Sequence, residues 1–447
     1  MGKYQVYPEY KGSGTEWLGS IPTSWVLSRH KYIASFQKGK NPEHLFDEPQ
    51  DSAVRYLSMD YLRGKASPSY AFIERNSYVS KQDQILIIWD GSNAGEFVKG
   101  QEGIVSSTMA ASEVVSDIDH TYYWYLCVCL EPEMRKHANG MGIPHVNGNE
   151  LKDAVFPIPA KEEQRKIAEF LDHEIYKIDS MIEKQQQLVN LLKEKLHAVI
   201  RQAVTKGLNS NALFSESGVG WIGSVPDHWD VKLIKHVCKL ESGHTPSKSN
   251  PSFWIDEECT VQWVSLNDTK NIDSSDFINE SVTKISEKGM DNSSAHYIDE
   301  GAIVFTRDGA RIGLAAIMAR SMCVSQHIIA WVCGESVNNH FLLHVIYAMN
   351  DELYRIAAGA TIPTIGMPDI KKMAMCIPPL SEQLEIVEYL LAKRREFSDL
   401  ISNAENLIDL MKERRKALIS AAVTGKIDVR NWQASEPSDN QNKEVAA

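Results

Sequence analysis

Histidine and cysteine side chains in this 447-residue chain could bind a metal ion, and a cysteine thiolate could also act as a nucleophile. His340 and His344 are four residues apart, the spacing at which two side chains on one helix face bind zinc. They lack the Glu of a His-Glu-x-x-His motif and a nearby third ligand, so we predict a structural role for both. The seven cysteines are an odd number, and none forms a Cys-x-x-Cys pair. We therefore expect reduced, buried thiols and no metal site.

Two short segments resemble enzyme motifs without completing them. Residues 250–253, Asn-Pro-Ser-Phe, resemble the Asn-Pro-Pro-aromatic motif with which amino-methyltransferases hold an amine. The second proline is missing, and no glycine-rich cofactor loop follows a strand, so a simple turn is the better interpretation. Residues 424–427, Thr-Gly-Lys-Ile, lack the upstream glycine of a phosphate-binding loop. The sequence therefore predicts no catalytic site and no cofactor bound by this chain.

The composition is that of a globular protein, with 43% hydrophobic and 24% charged residues. We find no apolar run long enough to span a bilayer and no basic-then-apolar leader, which predicts a cytoplasmic protein without a membrane partner. The net charge is −12, and residues 208–378 carry most of the excess, with 13 basic and 20 acidic side chains. Any positive surface must therefore be local.

An internal repeat organises the chain. The segment from Trp17 to Trp25 recurs 204 residues later, from Trp221 to Trp229. Residues 90–95 match 308–313 at an offset of 218, and residues 143–205 match 362–424 at an offset of 219. Agreement is dense at the edges of each copy and poor in the middle. Two copies of this size are two homologous halves and not solenoid units, and the second holds 15 extra residues in its first part.

Each half ends in a long predicted helix with a heptad-like apolar seam, from Glu163 to Thr205 and from Glu382 to about Val423. We predict that the two helices form an antiparallel coiled coil, a rod of roughly 60 Å with one globular domain at each end. The alternative is that each helix packs only on its own domain. The predicted seam consists of Ile167, Leu171, Ile178, Ile182, Leu192, Val199, Ile386, Leu390, Phe397, Ile401, Ile408, Met411 and Leu418.

Short apolar runs at 84–89, 261–264, 302–306 and 328–333 predict strands, and residues 121–135 and 339–358 predict helices. The fold class predicted from these patterns is mixed α/β (α+β), in two pseudo-repeated copies joined by the long helices. The predicted segments are a first domain (1–160), the first helix (161–207), a second domain (208–378), the second helix (379–430) and a disordered tail (431–447).

Taken together, these motifs resemble the specificity subunits of type I restriction-modification systems over residues 10–430. The resemblance is carried by the paired entry motifs at 17–25 and 221–229, and by the Gly-x-Thr-Pro loop at 243–246. It is also carried by the paired exit motifs at 143–152 and 362–371, which precede the helices. The first half departs from the pattern, because residues 39–42 read Gly-Lys-Asn-Pro. The loop conformation there stays open.

The resemblance implies two target-recognition domains, each binding one half of a bipartite site in double-stranded DNA. It implies that the helices separate the half-sites and bind two methyltransferase subunits, and that restriction (translocase) subunits join them. S-adenosylmethionine, ATP and Mg would then be bound by those partners. Two alternatives remain: a self-contained methyltransferase or nuclease, and a stand-alone DNA-binding regulator or coiled-coil scaffold without a methylation partner.

Base recognition needs hydrogen-bonding side chains on loops that can reach a groove, and phosphate contacts need Lys or Arg. For each loop residue, a solvated surface role is the competing interpretation. The candidates are Lys38, Lys40, Asn41, Arg63, Lys65, Ser92 and Asn93 in the first domain, and His244, Thr245, Ser247, Lys248, Arg307 and Arg311 in the second.

Overall fold

The computed structural model describes residues 4–136, 144–309, 311–357 and 363–434. The chain forms two compact units. Unit 1 comprises Met1–Lys184 and Leu407–Ala447, and unit 2 comprises Gln185–Asn406. The boundaries divide both long helices, so each unit contains one globular domain and half of each helix. The five segments predicted from the sequence keep each helix whole, and that division stays a prediction.

Unit 1 is a mixed α/β domain whose strands are β1 Tyr10–Gly12, β2 Ser20–Pro22, β3 Val26–Arg29, β4 Ala34–Lys38, β5 Val54–Leu57, β6 Ser69–Ala71, β7 Val79–Ser80, β8 Ile85–Ile88, β9 Phe97–Lys99, β10 Gly103–Val105, β11 Met109–Val114 and β12 Val155–Ile158. Its short helices are α1 Met59–Leu62, α2 His120–Lys136 and α3 Gly148–Asp153. One sheet has the antiparallel order β4-β11-β8-β9, and a second has the order β6-β5-β10-β7, in which β5 and β10 are parallel.

Unit 2 repeats this plan with β13 Phe214–Glu216, β14 Ser224–Pro226, β15 Asp230–Leu233, β16 Cys238–Ser242, β17 Val261–Val264, β18 Phe277–Ile278, β19 Lys284–Ile285, β20 Ile303–Thr306, β21 Ala315–Met318, β22 Cys323–Val324, β23 Ile328–Cys333 and β24 Ala374–Ile377. Its short helices are α5 Thr269–Ser274, α6 Glu287–Asp291, α7 Asn339–Ala348, α8 Asn350–Ala357 and α9 Met367–Ile370. The main sheet has the order β16-β23-β20-β21-β18, and β17 pairs with β19 and, in parallel, with β22.

The extra residues of the second copy fall mainly between β17 and β20. The offset between equivalent strands is 207 at β5 and β17, and 218 at β8 and β20. The added chain includes α5 and β18, and β18 extends the main sheet by pairing in parallel with β21. The predicted helix at 339–358 is divided at Met349 into α7 and α8. The predicted strands at 84–89, 261–264, 302–306 and 328–333 are present within one residue of their predicted bounds.

Apolar side chains from the sheets and helices form the core of each domain. The core of unit 1 also contains one histidine, His30. His30 is fully buried, donates from Nδ1 to the Leu151 carbonyl (3.1 Å) and accepts at Nε2 from the Tyr123 hydroxyl (2.7 Å). Burial lowers the pKa of His30 to about 4, so the ring is neutral at pH 7. The equivalent residue in unit 2 is the buried Ile234. A fully hydrogen-bonded polar side chain thus takes the place of an apolar one.

The long helices are α4, Lys161–Lys206, and α10, Leu380–Val423. In unit 1 the first half of α4 packs against the last half of α10, since Ile167 and Ile178 share a core with Leu418. In unit 2 the last half of α4 packs against the first half of α10, since Val204 shares a core with Ile386. The predicted antiparallel packing of the two helices is therefore confirmed. Both helices also pack on the globular domains. The alternative hypothesis predicted this second contact but not the packing of the helices on each other.

All thirteen predicted seam positions are buried or half-buried. The buried ones are Ile167, Leu171, Ile178, Ile386, Leu390, Phe397, Ile408 and Leu418. The half-buried ones are Ile182, Leu192, Val199, Ile401 and Met411.

Two arginines interrupt the α10 seam, and both bind acidic side chains. Arg394 donates from two guanidinium nitrogens to Asp276, at 2.5 and 2.7 Å, and lies over the Tyr347 ring. Arg415 binds Asp179 of α4 at 3.1 Å in unit 1. Each charge is thereby paired at the helix surface.

The repeated entry motif binds the first turn of each long helix. Trp25 Nε1 donates to Glu163 Oε1 at 3.1 Å, and Trp229 Nε1 donates to Glu382 Oε2 at 3.0 Å. The equivalence of these contacts explains why Trp and Glu recur in both halves of the sequence.

The second residue of the predicted tail, Trp432, packs edge-on against Phe170 with ring centroids 5.4 Å apart. Residues 435–447 of that tail lie outside the described residues.

Candidate nucleic-acid interface

Four loops meet at the end of the main sheet in each unit. Loop cluster 1 comprises residues 38–42, 89–95, 106–108 and 144–146, all in unit 1. Loop cluster 2 comprises residues 242–247, 307–309 with 311–313, 325–327 and 363–365, all in unit 2. The same backbone hydrogen bonds hold both clusters. Gly91 N donates to the Pro144 carbonyl at 2.9 Å, and Gly309 N donates to the Pro363 carbonyl at 3.1 Å.

A second shared hydrogen bond joins the residue after β8 or β20 to the loop that precedes β11 or β23. Trp89 N donates to the Thr108 carbonyl at 2.7 Å, and Arg307 N donates to the His327 carbonyl at 3.1 Å. Because the backbone framework is the same and these side chains differ, the two clusters present different hydrogen-bonding groups on one scaffold.

The second residue of the first loop in each cluster is a glycine, because the backbone there touches the end of a strand in the other sheet, β10 in unit 1 and β22 in unit 2. A Cβ atom on Gly39 would lie 2.2 Å from the Val105 carbonyl oxygen, and one on Gly243 would lie 1.5 Å from the Val324 carbonyl oxygen. Both distances exclude any side chain. Residues 39–42, whose conformation the sequence left open, are therefore the structural counterpart of the Gly-x-Thr-Pro loop at 243–246.

The residue two positions after each glycine ties this loop to the third loop of its cluster. Asn41 Oδ1 accepts from the Ser107 backbone N–H at 2.9 Å and from the Tyr56 hydroxyl at 2.8 Å. Thr245 donates from its hydroxyl to Gln326 Oε1. Asn41 and Thr245 therefore hold the loops in place, although both stay candidates for DNA contact.

The two lysines of loop cluster 1 are paired with carboxylates. Lys38 binds Asp90 at 2.7 Å, and Lys40 binds Glu74 at 3.3 Å. The backbone N–H of Glu43 and then the Lys40 ammonium group hold the pKa of Glu74 below its ordinary value. Each lysine would have to leave its carboxylate, or share it, to bind a phosphate.

The other unit 1 candidates differ in position. Ser92 and Asn93 lie at the turn of loop cluster 1, with Asn93 Nδ2 3.4 Å from Ser92 Oγ. Arg63 follows α1 and binds Glu96 at 2.6 Å, just after that turn. Lys65 is exposed beyond α1, and no ion-pair partner for it occurs in the described part of the chain.

Fewer of the candidate side chains in unit 2 than in unit 1 have hydrogen-bond or ion-pair partners. His244, Ser247 and Lys248 are exposed, and within the described ranges the His244 and Lys248 side chains have no hydrogen-bond or ion-pair partner. Arg307 is held near Asp308 at 3.4 Å. Arg311 is different, because both of its terminal nitrogens bind Asp273 of α5, at 2.9 and 2.7 Å. Asp273, which lies in the segment added in the second copy, thus accepts hydrogen bonds from both terminal nitrogens of Arg311.

Sequence reasoning missed the third loop of each cluster. Residues 106–108 and 325–327 precede β11 and β23, and they place Ser107 and Thr108, or Gln326 and His327, beside the predicted candidates. The 219-residue offset aligns these segments, so the repeat itself contained the signal.

The features that could have supported other chemistry have structural roles. Asn250 Oδ1 accepts from Ser252 N at 3.2 Å, which closes a short 3-10 turn. His344 is buried in α7 and donates to the His340 carbonyl at 2.7 Å, and burial lowers the pKa of His344 to about 4. All seven cysteines are free, and five are buried. Among the described residues, no three His, Cys, Asp or Glu side chains lie close enough to hold a metal ion.

A family model described as the type I restriction modification DNA specificity domain matches this chain twice, over residues 22–190 and 226–409. The chain belongs to this family. The two matched stretches begin at the entry motifs and extend into α4 and α10, so each specificity domain includes its loop cluster. The resemblance inferred from the motifs is thereby confirmed.

Relatives and a solved structure agree with this assignment along nearly the whole chain. The MjaVIII type I restriction enzyme specificity subunit of Methanocaldococcus jannaschii is 26% identical over 421 residues, 92% of this chain and 95% of the relative. The EcoBI specificity subunit of Escherichia coli is 20% identical over 444 residues, 94% and 90% of the two chains. A structure from work on complex assembly of the type I R-M system superposes with a TM-score of 0.66 at 15% identity, covering 90% of this chain and 98% of that one. That likeness shows the fold.

In the described residues, no helix combines the length and apolarity needed to cross a membrane.

Proposed function

We propose that this protein is the non-catalytic specificity subunit of a type I restriction-modification complex, and that each loop cluster recognises one half of a bipartite site in double-stranded DNA. The observation that carries the proposal is the pair of loop clusters, which share backbone hydrogen bonds and differ in side chains. A scaffold that is repeated with different hydrogen-bonding groups suits a protein that binds two different short sequences.

The complex in this proposal contains two methyltransferase subunits and restriction (translocase) subunits, and it acts on DNA in the cytoplasm. S-adenosylmethionine, ATP and Mg are bound by those partners. The charge of this chain supports such a division of labour. Lys38 and Lys40 are paired with carboxylates, and the net charge is −12. Because phosphate neutralisation depends on free cations, much of the contact with the DNA backbone would come from the partners.

Exchange of one domain is expected to change one half of the recognised sequence. A chimera in which residues 1–160 are replaced by the equivalent segment of a relative with another target should keep the half recognised by unit 2. The measurement is the methylated motif in host DNA after co-expression with the methyltransferase subunit. The reciprocal exchange of residues 208–378 is the matched control and should change the other half. A chimera that folds, binds its partner and changes both halves would contradict the proposal.

A further inference from the structure

A line of hydrogen-bonded side chains crosses loop cluster 2 and ends at Arg307. The Thr245 hydroxyl contacts Gln326 Oε1, and Gln326 Nε2 lies 3.2 Å from His327 Nε2. His327 Nδ1 lies 2.6 Å from Asp308 Oδ2, and Arg307 Nε lies 3.4 Å from the same oxygen. The line therefore connects side chains from three loops, and it reaches Asp308 through His327.

The direction of each hydrogen bond follows from its chemistry. The Asp308 carboxylate can only accept, so His327 donates from Nδ1 and Arg307 donates from Nε. Gln326 accepts at Oε1 from Thr245, so its amide nitrogen faces His327 and donates to Nε2. The Asp308 carboxylate therefore accepts from both His327 and Arg307.

Arg307 is fixed at its backbone and at one edge of its guanidinium group. Its N–H donates to the His327 carbonyl at 3.1 Å, and its carbonyl accepts from Ile365 N at 2.9 Å. Nε is directed at Asp308, whereas the two terminal nitrogens have no partner among the described residues. The side chain is only 20% exposed, so its position in the cluster is restricted. A fork of two parallel donors is left available for a ligand.

We propose that the two terminal nitrogens of Arg307 donate to O6 and N7 of a guanine in the half-site recognised by unit 2, and that Asp308 positions the guanidinium group. This inference rests on the proposed function and adds the residue and the base. Arg paired with the O6 and N7 edge of guanine is the commonest specific contact in the major groove. In unit 1 the equivalent residue is Trp89, which has no such fork, so the contact belongs to one half of the site.

Asp308 also favours a base over a phosphate as the ligand. Its side chain is 10% exposed, and its Oδ2 atom lies 3.4 Å from Arg307 Nε, so an acidic group lies directly beside the guanidinium group. That acidic group would repel an anionic phosphate, whereas the guanine edge offers two neutral acceptors. Arg311 cannot substitute, because Asp273 occupies both of its terminal nitrogens.

The test compares the methylated motifs produced by the wild-type subunit and by Arg307→Ala, Arg307→Gln and Arg320→Ala, each co-expressed with the methyltransferase subunit. Arg320 is the matched control, because it is an exposed arginine of the same unit that lies outside the loop cluster. We expect both Arg307 variants to lose discrimination at a single G·C position in one half-site, by about 5- to 150-fold. The other half-site and the Arg320→Ala motif should be unchanged.

Several outcomes would overturn the inference while the proposed function stands. A wild-type split motif without a G·C pair in the unit 2 half would do so, as would an unchanged motif in both Arg307 variants. An intact motif with uniformly fewer methylated sites would assign Arg307 to a phosphate. Co-purification with the methyltransferase and urea unfolding identify a variant that fails to fold. If Arg307→Ala fails to fold, the polar Arg307→Gln variant still tests the inference. A wild-type complex that produces no split motif would contradict the proposed function itself.

Discussion

Replacing Gly243 with alanine is expected to lower the free energy of unfolding of unit 2 by about 3 kcal/mol or more. The added Cβ would lie 1.5 Å from the Val324 carbonyl oxygen, well inside van der Waals contact. The backbone fixes the position of Cβ, and the oxygen is itself a backbone atom, so neither a rotamer change nor a small side-chain shift can relieve the overlap. The first loop of loop cluster 2 would have to move away from β22.

The measurement is urea unfolding of the full chain, with the change in midpoint converted through the slope of the transition. Gly220→Ala is the matched control, because a Cβ at Gly220 meets no atom within 4 Å. We expect Gly39→Ala to have the same effect on unit 1, since its Cβ would lie 2.2 Å from Val105 O. Equal midpoints for the Gly243 and Gly220 variants would show that the loop is not packed against β22 as described.

Replacing Arg394 with methionine is expected to destabilise unit 2 by about 3 kcal/mol, because it leaves Asp276 charged and shielded from water. The value is at the low end of the range for buried pairs, since the two side chains are 28% and 18% exposed. The Tyr347 hydroxyl would remain a donor to Asp276 Oδ1, at 3.0 Å. The double variant Arg394→Met with Asp276→Asn should recover part of the loss, because it removes the unpaired charge.

The pH dependence of this pair has a defined sign. Burial raises the pKa of Asp276, but the hydrogen bonds and charge of Arg394 outweigh it and hold the pKa below 3.8. A depressed carboxyl pKa contributes stability above the pKa of the unfolded chain, and that contribution is lost as the pH falls through the folded value. The difference between wild type and Arg394→Met should therefore shrink on acidification below pH 4. Lys393→Met is the control, and an equal loss for both variants would refute the account.

The fold was predictable where the signal lies in neighbouring residues. The seam from Ile167 onward has a helical period, and β8 is a run of four apolar residues, so local pattern alone indicated both elements. The repeat then predicted two similar domains, because matched motifs in matched order require matched folds. Arg394 shows the limit of that approach. Its partner Asp276 is 118 residues away, and no periodicity predicts their contact.

The composition of the candidate interface was harder to predict. Residue type and loop position selected Lys38 and Arg311, but the fold pairs them with Asp90 and Asp273. Gln326 and His327 were missed because strand order brings their loop to the cluster, between β16 and β20 in space. Contacts of this kind depend on sheet topology, which the spacing of motifs along the chain does not specify.

The most direct test of the central claim is to co-express this chain with a type I methyltransferase subunit from the same genome and to sequence host DNA for methylated bases. The account predicts one new motif made of two short specific parts separated by a fixed number of unspecified bases. An undivided motif, or no association between the two proteins, would contradict it and favour a DNA-binding regulator without a methylation partner.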